Sequence, residues 1–98
     1  MIVVRDVFQL KFGTAKQAKE QWRKGRAILA KAGLGTARLM TDLVGPYYTL
    51  VLESTYRSLA EFERSHQSAG RSKAWQTWYR RFTPLVERGY REIFTVVE

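Results

Sequence analysis

The chain reads as an α+β fold built on a four-stranded antiparallel sheet, and three observations predict it. Residues 42–62, DLVGPYYTLVLESTYRSLAEF, run from one strand through a Gly45-Pro46 turn, along a second strand and into a helix. Two S/T-x-x-E/Q capping boxes, Thr14 with Gln17 and Ser58 with Glu61, mark helix starts, because hydroxyl and N3 side chain can each satisfy a free backbone N–H there. Each of these starts follows an apolar run with a two-residue period, which gives the order β-α-β-β-α-β.

Residues 2–12 form the first predicted strand, with Val4, Phe8, Leu10 and Phe12 on one face and Val3, Arg5, Val7, Gln9 and Lys11 on the other. Asp6 interrupts the apolar face, and a polar residue on a core face is the informative exception. The helix from Thr14 reaches about Ala32, with Ala18, Trp22, Gly25 and Leu29 on one stripe and most of its Lys and Arg outside it. Gly33-Leu34-Gly35 supplies the glycine expected after a helix end. Residues 36–44 are the second strand and 47–56 the third, rich in the Tyr, Thr, Leu and Val that suit a pleated surface. Pro46 has no N–H to give a ladder, so the break between them belongs there.

Beyond Ser58, a helix carrying Leu59, Phe62 and His66 is predicted to break at Ser68, Ala69 and Gly70 and to resume near Ser72. Trp75, Trp78, Tyr79, Phe82, Leu85 and Val86 make its apolar stripe, and Pro84 ends or kinks it. Gly89 is expected as the stop before a last strand over residues 90–97. Right-handed crossovers then place the strands 4-1-3-2 with both helical regions on one face, a ferredoxin-like layer. Its opposite face, with Arg5, Val7, Gln9, Thr49, Val51 and Glu53, is left uncovered and calls for a partner, most economically a second copy.

Composition narrows the function. A chain of 98 residues has room for one core, so residues 1–98 are expected as a single domain. It has no Cys, which excludes disulfides and thiolate chemistry, and its one His cannot build a His-based metal centre. Arg5 and Asp6 interrupt the N-terminal apolar run, and no stretch reaches the ~20 apolar residues of a membrane span, so a soluble cytoplasmic protein is expected. Seventeen Lys and Arg against nine Asp and Glu give a net charge of +8, which admits an anionic partner. Nucleic acid is disfavoured, because the third strand reads Thr49-Leu50-Val51-Leu52-Glu53 where an RNA-recognition motif has a basic-Gly-aromatic run.

The element order, the segment DLVGPYYTLVLESTYRSLAEFE and the later AWQTWYRRFTPLVERGYREIF resemble the NIPSNAP-like domains. The resemblance spans nearly the whole chain. It implies membership of the dimeric α/β-barrel superfamily, in which two ferredoxin-like subunits close their sheets into one barrel. That superfamily also includes antibiotic-biosynthesis and haem-degrading monooxygenases, the latter relying on an Asn, a Trp and a His. The present chain contains no Asn, so no cofactor is carried over.

The resemblance and the residues together single out one region. Trp75, Trp78 and Tyr79 are expected to wall a pocket between sheet and helices for an apolar or aromatic ligand, with Tyr48 opposite and Arg80 near the mouth. The same stripe also serves as plain core. Asp6 and His66 are the candidate catalytic pair, Asp6 orienting the imidazole or acting as a buried acid of raised pKa. Asp6 could instead pair with Arg91 of the last strand. The leading expectation is a homodimeric small-ligand-binding protein. The alternatives are a cofactor-independent monooxygenase acting on a quinol-like substrate and a basic module for an anionic partner.

Overall fold

The computed structural model describes residues 1–31 and 37–98. The expected helix end at Ala32, Gly33-Leu34-Gly35 and the start of the second strand at Thr36 lie outside those residues. Along the chain come β1 (Ile2–Leu10), α1 (Ala15–Lys31), β2 (Ala37–Thr41), β3 (Thr49–Tyr56), α2 (Leu59–Arg71), α3 (Lys73–Phe82), a 3-10 turn (Thr83–Leu85) and β4 (Val86–Thr95). The sheet order is β2-β3-β1-β4, which is 4-1-3-2 read from the other edge, and every neighbouring pair is antiparallel. This is the predicted ferredoxin-like α+β fold.

The predicted parity of β1 holds. Val4, Phe8 and Leu10 face the helices, in register with Ser54, Leu50 and their neighbours on β3. Leu10, Leu50 and Leu52 are buried there beneath Ala18 and Trp22 of α1 and Trp78 and Phe82 of α3, and Val4 is buried further along β1. Trp22 is the hub. Its ring lies 4.5 Å from Trp78, 5.4 Å from Phe82, 6.0 Å from Trp75 and 6.2 Å from Phe8, centroid to centroid. The indole N–H of Trp78 donates to the carbonyl of Gln21, tying α3 to α1.

Gly25 makes that approach possible. A Cβ built at Gly25 would lie 2.7 Å from Cε2 and 2.8 Å from Cζ2 of Trp78, closer than carbon atoms pack. The stripe of α1 therefore contains a glycine because another helix's tryptophan occupies the space.

Several boundaries differ from the sequence reading, each for a local reason. Phe12 lies beyond the end of β1 and is exposed, packed edge-to-face on Tyr48 at 5.0 Å. The Thr14 hydroxyl does not cap α1, being directed at the carbonyls of Lys11 (2.6 Å) and Leu85 (3.2 Å). The second box does form, shifted by one residue at one end: Glu61 N donates to Ser58 Oγ at 3.2 Å, while Glu61 Oε2 accepts from Arg57 N at 2.9 Å.

The expected break at Ser68, Ala69 and Gly70 is absent, since all three lie within α2. The chain breaks at Ser72, whose extended backbone (φ −76°, ψ 123°) ends α2 and whose hydroxyl accepts from Trp75 N to start α3. Gly89 is likewise no stop. It sits inside β4 opposite Phe8, where a Cβ would come within 3.0 Å of the Val7 carbonyl and 3.1 Å of the Phe8 ring. Glycine here lets an aromatic ring lie over the neighbouring strand.

The face away from the helices carries the six expected residues in register, Arg5 with Glu53, Val7 with Val51 and Gln9 with Thr49. Tyr90, Glu92 and Phe94 of β4 and Arg38 and Met40 of β2 extend it by the same pairing. Glu53 accepts from Arg5 at 2.8 Å and from Arg38 at 2.6 Å. The Arg5 hydrogen bond, against the opposing pull of desolvation and with Arg38 in support, holds the Glu53 carboxyl below its ordinary value. Tyr90 and Phe94 remain 60% and 46% exposed, so the face is an apolar field around an ion-paired centre.

Candidate functional site

A cavity of about 690 Å³ opens between the helix-facing side of the sheet and helices α2 and α3. Its floor is the even-numbered residues of β1, Val4, Asp6 and Phe8, with Leu52, Ser54 and Tyr56 of β3 beside them. Strand parity fixes this, because alternate side chains of a strand share one face. One wall is α3, whose stripe places Trp75 and Trp78 side by side, centroids 4.5 Å apart with planes 28° from parallel. The other is α2, where Phe62 and His66, four residues apart, lie together at 5.6 Å.

Six of the seven residues singled out from the sequence line this cavity: Asp6, His66, Trp75, Trp78, Tyr79 and Arg80. Trp78 is buried, Trp75 half-buried, and Tyr79 is 48% exposed at the rim. Tyr48 is not among them. It stands at the opposite end of the sheet, where β3 has not yet begun, and its left-handed backbone (φ 62°) belongs to the turn after Gly45-Pro46. The Tyr48 carbonyl accepts from Leu10 N at 2.8 Å, level with the far end of β1 and well along the strand from Asp6. The expectation that Tyr48 faces Trp75 is therefore corrected.

Asp6 resolves in favour of the second of its two expected partners. Arg91 of β4 lies directly across the ladder and donates through Nε to Asp6 Oδ1 at 2.5 Å. The carboxylate is neither deeply buried nor the hydrogen-bond orienter of His66, its side chain being 19% exposed. The Arg91 guanidinium also lies over the Phe62 ring at 5.3 Å, a cation–π contact, and Phe62 packs on Tyr56 at 5.3 Å. A single chain of contacts thus runs from Asp6 through Arg91 and Phe62 to His66.

Ser54, Tyr56, Phe62 and Gln76 also line the cavity and are not singled out from the sequence. The first two had a signal, since they share the parity of Leu50 and Leu52. Phe62 had one too, four residues before His66 on one helix. Gln76 had none, for it reaches the cavity through the placement of a whole helix.

A four-stranded antiparallel sheet with helices on one face and a cavity between them defines a ferredoxin-like α+β domain. The NIPSNAP family model matches residues 5–98, and the chain belongs to the NIPSNAP family. It is similar in structure to a NIPSNAP family protein from Agrobacterium tumefaciens, with 22% identity, 96% of this chain and 90% of that one covered and a TM-score of 0.89. A putative antibiotic biosynthesis monooxygenase from Nitrosomonas europaea is similar over 100% of both chains at 15% identity, with a TM-score of 0.77. A cofactor-independent oxygenase from Streptomyces nogalater, in a mutant form, is similar at 11% identity over 99% of this chain and 93% of that one, with a TM-score of 0.75. A search of functionally curated proteins gives no match. Among the described residues, no helix is long and apolar enough to cross a membrane.

Proposed function

We propose that residues 1–98 form one domain of a cytoplasmic homodimer, paired through the open sheet face, that binds a small apolar or aromatic ligand between sheet and helices. The observation that carries the reading is the cavity itself. Its volume of about 690 Å³ falls within the range of small-molecule sites, its walls are aromatic, and Asp6, His66, Arg80 and Arg91 supply few polar groups around an apolar interior. Trp75, Trp78 and Tyr79 take the ring system in this reading, and Arg80 sits near the entrance. Pairing through the open face is supported by the exposed Tyr90 and Phe94 around an ion-paired centre. Glu53 and Glu92 on that face weigh against a nucleic-acid partner there.

Native mass spectrometry of the protein as purified from cells tests both halves. The expected result is a dimer carrying a small adduct, lost in Trp75→Ala and weakened in His66→Ala, while Tyr48→Phe retains it. A monomer would sink the pairing. An adduct indifferent to Trp75 and His66 would sink the site.

The second reading is enzymatic. The similarity to a cofactor-independent oxygenase and the presence of Asp6 and His66 on one cavity favour a monooxygenase acting on a quinol-like substrate. In that case His66 is the general base, linked to Asp6 through Phe62 and Arg91. Oxygen uptake over a panel of quinols decides it, since the absence of turnover across the panel removes the reading and leaves ligand binding untouched.

A further inference from the structure

We infer that the ligand of this cavity is an aromatic acid: a flat ring system bearing one anionic group, bound with the anion toward Arg80 and Arg91. The inference rests on the reading of the cavity as a ligand site and adds the charge of the occupant.

The argument is one of charge and of donors. Among the described residues, four acidic or basic side chains line the cavity, namely Asp6, His66, Arg80 and Arg91. Two guanidiniums therefore face a single carboxylate. That carboxylate is engaged: it accepts from Arg91 Nε at 2.5 Å, so it is not open to a ligand's cation without losing its partner. Arg91 uses only Nε in that bond, which keeps its two Nη groups as donors for a second acceptor. Arg80, on the exposed side of α3, adds five more donors and no acceptor.

A cationic ligand would meet two like charges and one occupied acid. A neutral one would gain nothing from the excess guanidinium of Arg80, which would keep its water. An anion satisfies the excess, and a carboxylate or sulfonate matches the planar fork of a guanidinium in particular. The chain's net charge of +8 works in the same direction at long range by drawing anions toward it. The ring requirement comes from the aromatic lining, Trp75 and Trp78 side by side on α3 and Phe62 on α2.

Two fluorescent probes sharing one ring system separate these elements: anilinonaphthalene sulfonate and its uncharged twin phenylnaphthylamine. Each is titrated into the wild-type protein, Arg80→Gln and Trp75→Ala, with circular dichroism verifying the fold of both variants. The expected result is that Arg80→Gln weakens the sulfonate about tenfold, the scale of one charge-assisted hydrogen bond, and the uncharged twin less than twofold. Trp75→Ala weakens both. Equal effects of Arg80→Gln on the two probes, or none on either, overturn the aromatic-acid inference while leaving the cavity a ligand site. If neither probe binds the wild type, or if Trp75→Ala leaves both unchanged, the ligand-site reading falls with it.

Discussion

Replacing Trp22 with alanine is expected to destabilise the fold by about 3–5 kcal/mol, the range for deleting a large aromatic side chain from a packed core. Trp22 is 2% exposed and meets the rings of Phe8, Trp75, Trp78 and Phe82, so no neighbour can collapse into the space without leaving its own contacts. For a domain of this size the midpoint of thermal unfolding should fall by roughly 15–30 °C. Trp22→Phe should cost much less. It retains most of the ring contacts, and the Trp22 Nε1 it removes is buried with no hydrogen-bond partner among the described residues. Thermal melts of the two variants check both statements. An alanine variant within a few degrees of wild type would show that Trp22 is not the hub of this core.

The second large effect is at Gly25, and it runs against helix propensity. Alanine in a helix interior is favoured over glycine by about 1 kcal/mol, so an unobstructed site gains from the change. Gly70, inside α2 with nothing within 4 Å of an added methyl among the described residues, is such a site, and Gly70→Ala should stabilise. At Gly25 the methyl would meet Trp78 at 2.7 Å, and that ring cannot retreat. Trp75 stacks on one part of it, Phe82 lies 5.2 Å away with planes only 9° apart, and Trp22 abuts its edge. Overpacking of this kind costs about 1–3 kcal/mol, so Gly25→Ala should destabilise despite the better helix former. Opposite signs for the two substitutions in urea unfolding are the expected outcome. A stabilised Gly25→Ala would mean that α1 and α3 can move apart freely.

These two residues also show what the sequence could and could not disclose. Trp22 is legible because its neighbours on the stripe recur at helical spacing, and the same reasoning puts Trp78 on an apolar stripe. Strand parity carried equally far. It predicted both faces of β1 and the six residues of the open face, since side-chain direction in a strand depends on nothing but alternation. Glycine is less legible. Gly70 looked like a breaker and Gly89 like a stop, yet the first is helical and the second lies within a strand, opposite Phe8. What a glycine does is decided by what lies beside it, and only tertiary structure supplies that.

The site was legible by the same rule. Residues on regular elements, such as Asp6, His66 and Trp75, could be assigned to one side of the sheet, and they do meet there. Tyr48 failed because alternation was carried back past the end of β3 into a turn with positive φ, and because position along the strand is set by pairing register. Asp6 had two plausible partners in the sequence. The β1–β4 register, which no local pattern encodes, gave it to Arg91.

The break at Ser72 has a consequence for motion. It separates α3, which buries Trp78 and Phe82 against α1, from α2, whose one buried residue is Ala69. With so little apolar surface committed, α2 should open by itself while the rest of the layer stays closed, a partial unfolding of low free energy. Amide hydrogens of α2 should then exchange with solvent well ahead of those in α1 and α3, and equal protection across the three helices would contradict this. The wall that bears Phe62 and His66 would be the part of the molecule that breathes, and the tryptophans opposite would stay still.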